Sequence, residues 1–130
     1  MTEAASTALQ VYVIEDSPIF TGLLSAAIES AGGELVGHSG NAEQALADLS
    51  RIAADLIVID LTLDSGSGLE VLAALKRLGL ARGATKVVLT NHSAAECGSL
   101  SYELGATYFY EKDHESWRAL ELIGRMAAAK

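Results

Sequence analysis

The sequence has little proline, cysteine or aromatic content: one Pro, one Cys, and four Tyr, two Phe and one Trp in 130 residues. The lone Cys97 excludes an intramolecular disulfide, and with it the stapled scaffolds of small secreted proteins. Bases are also scarce, 9 against 17 acidic residues, and the net charge of −8 argues against a nucleic-acid partner, whose affinity rests on Lys and Arg. No apolar run approaches the roughly 20 residues that cross a bilayer. Residues 1–8 lack the cationic and apolar segments of a signal peptide, so a cytoplasmic protein with no membrane partner is expected. No segment is repeated or of low complexity. What is present is a chain that is 50% hydrophobic, enough to bury one core. Residues 1–8 are expected to form a flexible N-terminal extension, and 9–130 a single domain.

The apolar residues fall in short Val- and Ile-rich runs bounded by polar ones: Val11 to Ile14, Leu56 to Ile59, Lys86 to Leu89 and Thr107 to Glu111, with a weaker run from Glu34 to His38. Such runs fit strands buried on both faces of a parallel sheet. Between them lie helical segments. Ser17 is placed to cap the first and Pro18 suits its opening turn, while Gly32-Gly33 ends it. Ala42, Ala45, Leu46, Leu49 and Ile52 share one face of a second helix, from about 41 to 52. Further helices are expected from Leu69 to Leu78, about Ala94 to Leu104 and about Glu115 to Ala128. Five strands alternating with five helices, joined by right-handed crossovers, make a doubly wound α/β fold, a parallel sheet covered by helices on both faces.

Ligands of such sheets sit beyond the carboxyl ends of the strands. Here those ends carry Glu15 and Asp16, Asp60, Thr90 and Lys112. Clustered carboxylates suit Mg²⁺, a hard cation that takes oxygen ligands and keeps exchangeable waters. Asp60 has the chemistry of a nucleophile toward phosphorus, with Lys112 and the metal supplying positive charge and Thr90 a hydrogen bond to a phosphoryl oxygen.

Over residues 9 to 128 the chain resembles a response-regulator receiver domain of two-component phosphorelays. The motifs that carry the resemblance stand in order: Glu15-Asp16, Asp60-Leu61-Thr62-Leu63 followed by Gly66-Ser67-Gly68-Leu69, Leu89-Thr90, and Gly105-Ala106-Thr107-Tyr108-Phe109 leading to Lys112. The resemblance implies a flavodoxin-like fold, a five-stranded parallel sheet of order 2-1-3-4-5 with five helices, and it implies that Asp60 is the phosphoacceptor. It also implies that Asp16, Asp60 and the Thr62 backbone carbonyl bind Mg²⁺, and that Glu15 holds the metal's water. By the same resemblance Thr90 and Lys112 contact the phosphoryl group, and Phe109 is the aromatic that turns inward when Thr90 moves. Thr62 and His92 occupy the family's variable positions, which with Asn91 are expected to modulate phosphoryl lifetime. The implied partners are a histidine kinase or phosphotransfer protein and an output protein. The output protein would be engaged through the fourth helix, fifth strand and fifth helix.

The chain departs from the family pattern in three places. Asp113 follows Lys112 where the family has a cis proline; a cis bond without proline costs about 3–4 kcal/mol, so a trans bond and a reshaped loop are expected. Asp64 replaces a common proline and adds negative charge near Asp60. Asn91 replaces a small residue after Thr90, which narrows access.

Other residues read more plainly. His38 and His114 are expected at the surface, and Cys97 is given no role. The aromatic residues between 102 and 117 suit either core or an interface. Three functions compete: a stand-alone phosphoacceptor switch, a receiver-like interaction module that works without phosphorylation, and a haloacid-dehalogenase-like phosphatase. The last is disfavoured because Thr62 stands where its acid/base would be. No enzymatic turnover is expected beyond self-phosphorylation from small donors and self-dephosphorylation.

Overall fold

Side chains alternate faces along each strand of the computed structural model, which describes residues 8–130, and both faces are apolar. Tyr12, Ile14, Ile57, Ile59 and Val88 point to one side, and Val11, Val13, Leu56, Val58, Val87 and Leu89 to the other. A sheet apolar on both faces must be covered twice. The chain does this with β1 (Gln10–Ile14), α1 (Pro18–Ser30), β2 (Glu34–Ser39), α2 (Ala42–Leu49) and β3 (Leu56–Ile59). It continues with α3 (Gly68–Leu78), β4 (Thr85–Thr90), α4 (Ala94–Glu103), β5 (Tyr108–Glu111) and α5 (Lys112–Ala128). The strands are parallel in the order β2-β1-β3-β4-β5, as the resemblance implies. The face of Tyr12 carries residues of α2, α3 and α4, and the face of Val11 carries those of α1 and α5.

Local chemistry sets the helix boundaries. Ser17 accepts from the Phe20 N–H at 3.3 Å, and Pro18 opens α1 as expected. Gly37 leaves room for the fully buried Tyr12, since a Cβ there would lie 2.8 Å from the Tyr12 ring. The Tyr12 hydroxyl donates to Asp48 at 2.5 Å and fastens α2 to the sheet. Helix α2 ends at Leu49, short of the expected Ile52, with Ser50 as its C-cap and the Arg51 amide closing a tighter turn onto the Asp48 carbonyl.

At the other end of the chain, no described peptide bond is cis, so the expected trans bond at Asp113 holds. The loop expected before Glu115 is absent: β5 runs directly into α5 at Lys112. Without a proline at 113, Lys112 is free to enter the helical region, and Asp113 and Glu115 favour the helix N-terminus. Among the described residues no helix is long and apolar enough to cross a membrane. Residues 1–7 of the expected flexible extension lie outside those described.

Candidate functional site

The carboxyl ends of β1, β3, β4 and β5 bring Glu15, Asp16, Asp60, Thr90 and Lys112 to one rim of the sheet. At the centre is the Lys112 ammonium, 3.0 Å from Asp60 Oδ2 and 2.6 Å from Glu15 Oε1. All three side chains are buried, and the ammonium also lies 4.1 Å from the centre of the Phe20 ring. Buried charges survive only when paired, and the pairing here is mutual. Burial disfavours the ammonium, but its bonds to Glu15 and Asp60 outweigh this and hold Lys112 above the ordinary lysine range. Burial, with the Asp60 charge added, pushes the Glu15 carboxyl up against the opposing pull of Lys112 and the Ser17 N–H.

The second Asp60 oxygen, Oδ1, accepts the Thr62 N–H at 3.2 Å, so both oxygens of the carboxylate are oriented. Glu15 is fixed from two sides. Its own N–H donates to the Ser39 carbonyl at 2.9 Å, and Oε2 accepts the Ser17 N–H at 3.0 Å. Asp16 differs. It is half-buried, and among the described residues its carboxylate makes no hydrogen bond or ion pair. Ligand oxygens of Glu15, Asp16 and Asp60 lie within 4.8 Å of one another, a donor set of hard oxygens with one carboxylate unengaged. That is the chemistry a Mg²⁺ ion takes.

A cavity of about 450 Å³ opens above Asp60, lined by Asp16, Thr62, Asn91, Ile19 and Phe20 among others. Asn91 stands exposed on its border, and the cavity remains open beside it. Thr62, on the cavity wall, reaches His92, with Thr62 Oγ1 at 2.9 Å from His92 Nε2. Thr90 is fully buried, and its hydroxyl accepts the His92 N–H at 3.4 Å. Phe109 is buried among the residues beneath α2, α3 and α4, so its ring already faces inward. Asp64 lines the neighbouring groove, with its carboxylate beside Gly40 and Asp16. His38 and His114 are exposed as expected, and Cys97 packs partly buried against the core.

Sequence reasoning missed two contributors. Phe20 supplies the ring beneath Lys112. Gly68 lets α3 start directly against the end of β3, since a Cβ there would collide with the Asp60 carbonyl oxygen. The Gly-Ser loop held the signal for Gly68; nothing local marked Phe20.

The family model for the response regulator receiver domain matches residues 11–123. Over 119 residues the chain is 29% identical to the nitrate/nitrite response regulator protein NarP of Escherichia coli, covering 91% of this chain and 54% of that protein. It is 31% identical over 104 residues to a protein-glutamate methylesterase/protein-glutamine glutaminase of Agrobacterium fabrum, covering 78% of this chain and 29% of that protein. The chain thus spans about half or less of these curated relatives. Among solved structures, the CheY-like receiver domain from Methanospirillum hungatei superposes with a TM-score of 0.81 at 20% identity, covering 95% of this chain and 96% of that one. The receiver domain of a Pseudomonas aeruginosa sensor histidine kinase, solved with magnesium coordinated in its active-site cleft, gives 0.78 at 16% identity, covering 94% and 99%.

Proposed function

We propose that this chain, which belongs to the response regulator receiver domain family, accepts a phosphoryl group on Asp60 from a cytoplasmic histidine kinase or phosphotransfer protein. One observation carries this reading: the Asp60 carboxylate is held between the Lys112 ammonium and the Thr62 N–H, beside the unengaged Asp16 and at the floor of an open cavity. In the transfer, an Asp60 oxygen bonds to phosphorus as the donor's P–N bond breaks. The donor imidazole leaves neutral, because its other nitrogen already carries a proton. Asp16, Asp60 and the Thr62 carbonyl would hold Mg²⁺, with Glu15 holding one of its waters, and the ion would neutralise charge between the carboxylate and the incoming phosphoryl group. Lys112, already in contact with Asp60, supplies the second positive charge from the protein itself.

The response begins at Thr90. Its hydroxyl oxygen accepts a long bond from the His92 N–H, and among the described residues its own O–H donates to nothing, so it is free to donate to a phosphoryl oxygen on Asp60. A shift of Thr90 pulls on residues 91–93 and hence on Ser93, the N-cap of α4. The output surface is then α4, β5 and α5, where Tyr102 and Trp117 are exposed. Thr62, Asn91 and His92 shield Asp60 from water and prolong the phosphorylated state, so Asn91→Ala with His92→Ala shortens it.

A second reading is an interaction module that works without phosphorylation, through the exposed Tyr102 and Trp117 of the same face. Intact mass after incubation with acetyl phosphate and Mg²⁺ separates the two. A gain of one phosphoryl group, abolished by Asp60→Asn and by chelator, is the expected result. No gain in the wild-type chain overturns the phosphoacceptor reading and leaves the module.

A further inference from the structure

At the opposite end of β4 from Thr90, the C-terminal ends of α3 and α4 enclose a cavity of about 260 Å³. Leu72, Leu75 and Leu104 give it an apolar floor, and Lys76, Arg82 and Lys86 form its rim; no acidic residue lines it. In a chain of net charge −8 this is an uneven distribution. Every base of the chain lies within the described residues, and those paired with carboxylates are Arg51, Lys112, Arg118 and Lys130. Three of the five that remain converge on this one cavity.

The two lysines are partly satisfied. Lys76 Nζ donates to the Glu103 carbonyl at 2.8 Å, and Lys86 Nζ donates to the carbonyls of Ala81 at 2.8 Å and Ala84 at 3.2 Å. The Lys76 bond caps the end of α4, where a cation is favoured, and the Lys86 bonds hold the turn between α3 and β4. Burial also pulls Lys86 below the ordinary lysine range. Arg82 is not accounted for in this way. Its guanidinium lies over Gly79, where a Cβ would sit 2.9 Å from Nη2, and among the described residues it has no hydrogen-bond or ion-pair partner. Carbonyls leave both ammonium charges in place, so the rim is cationic throughout, and Arg82 is its one cation whose donors are unengaged among the described residues, above an apolar floor.

We infer that this cavity binds a small organic monoanion, a carboxylate head held by the Arg82 fork with its short apolar body on Leu72, Leu75 and Leu104. The guanidinium matches a carboxylate in a planar, two-point contact that a lysine does not offer. The volume, below that of most drug-sized sites, restricts the ligand to a small one. No residue of the acidic rim takes part, so binding and phosphorylation stand or fall separately.

The test is a chemical-shift titration of the ¹⁵N-labelled chain with 3-phenylpropionate in Mg²⁺-free buffer. The neutral amide of the same acid and acetate serve as controls. Saturable shifts centred on the amides of Gly79, Leu80 and Gly105 are expected, with acetate and the neutral amide each at least fivefold weaker. Arg82→Ala weakens binding at least fivefold, whereas Arg77→Ala, an exposed neighbour outside the cavity, leaves it unchanged. The spectra themselves report that each variant is folded. Shifts that do not saturate, that map elsewhere, that persist in Arg82→Ala, or that are matched by the neutral amide overturn the assignment.

Discussion

Helices α3 and α4 cover the same face of the sheet, and different forces hold them there. Helix α3 buries Val71, Leu72 and Leu75 almost completely and ends in a left-handed glycine at Gly79, with Lys76 and Arg77 in its last turn. Helix α4 buries only Gly98 and Ser101 and has no base in its last turn. It is attached by hydrogen bonds instead: Glu111 Oε2 accepts the Ala94 N–H at 3.0 Å, the Tyr102 hydroxyl accepts the Phe109 N–H at 3.1 Å, and Lys76 donates to the Glu103 carbonyl. The Ser101 hydroxyl is fully buried and, among the described residues, has no partner. A buried leucine contributes about 1.5–3 kcal/mol, while a hydrogen bond contributes about 0.5–1.5 and can be exchanged for another. The helix next to Thr90 is therefore the one that moves at small cost, which is what a switch at Thr90 requires.

The largest expected effect comes from breaking the apolar attachment. Leu72→Ala leaves a cavity under α3 and destabilises the chain by about 2–5 kcal/mol, read from denaturant unfolding. In native-state hydrogen exchange the same change speeds the α3 amides and leaves those of α4 unaltered, because α4 opens on its own. Equal acceleration in both helices would mean that they open together and would remove the contrast between them. A smaller effect follows from Tyr102→Phe. The Phe109 N–H on the sheet edge loses its acceptor, at a cost of about 1 kcal/mol. Faster exchange of the Phe109 amide and of the α4 amides is expected; an unchanged Phe109 amide would show that water substitutes fully for the hydroxyl.

Helix α3 was legible in the sequence because its apolar residues recur at helical spacing, and the rim was legible because each chemical residue ends an apolar run. Both are local patterns. What escaped the sequence depends on contacts between distant segments. The start of α5 at Lys112 was hidden by the loop expected from the family pattern, although Asp113, which is not a proline, is what permits it. The bond between Thr62 and His92 joins two loops 30 residues apart in the chain. The basic cavity draws on residues 76, 82, 86 and 104, brought together by the turn after α3, in which Gly79 and Ala81 both have positive φ, +68° and +53°. No periodicity announces such a grouping, because nothing in a turn fixes in advance which side chains it gathers.

Gly98 gives the smallest effect and the most direct test of how α4 is held. A glycine inside a helix costs roughly 0.5–1 kcal/mol relative to alanine through the freedom it loses on folding. It is kept at no loss of function only where a Cβ would clash or where a weak helix is useful. At Gly98 the nearest atom a Cβ would meet is Ala94 Cβ at 3.4 Å, an ordinary contact, so space does not demand glycine. Gly98→Ala is therefore expected to raise global stability by about 0.5–1 kcal/mol and to slow exchange of the α4 amides about two- to fivefold. A loss of stability instead would show that α4 approaches the sheet too closely for a methyl group, and that its attachment is one of packing, like that of α3. If the gain appears, Gly98 belongs with the Ser101 hydroxyl, unpartnered among the described residues, and the exchangeable bonds of Tyr102 and Glu111, as residues that keep α4 weakly held beside Thr90.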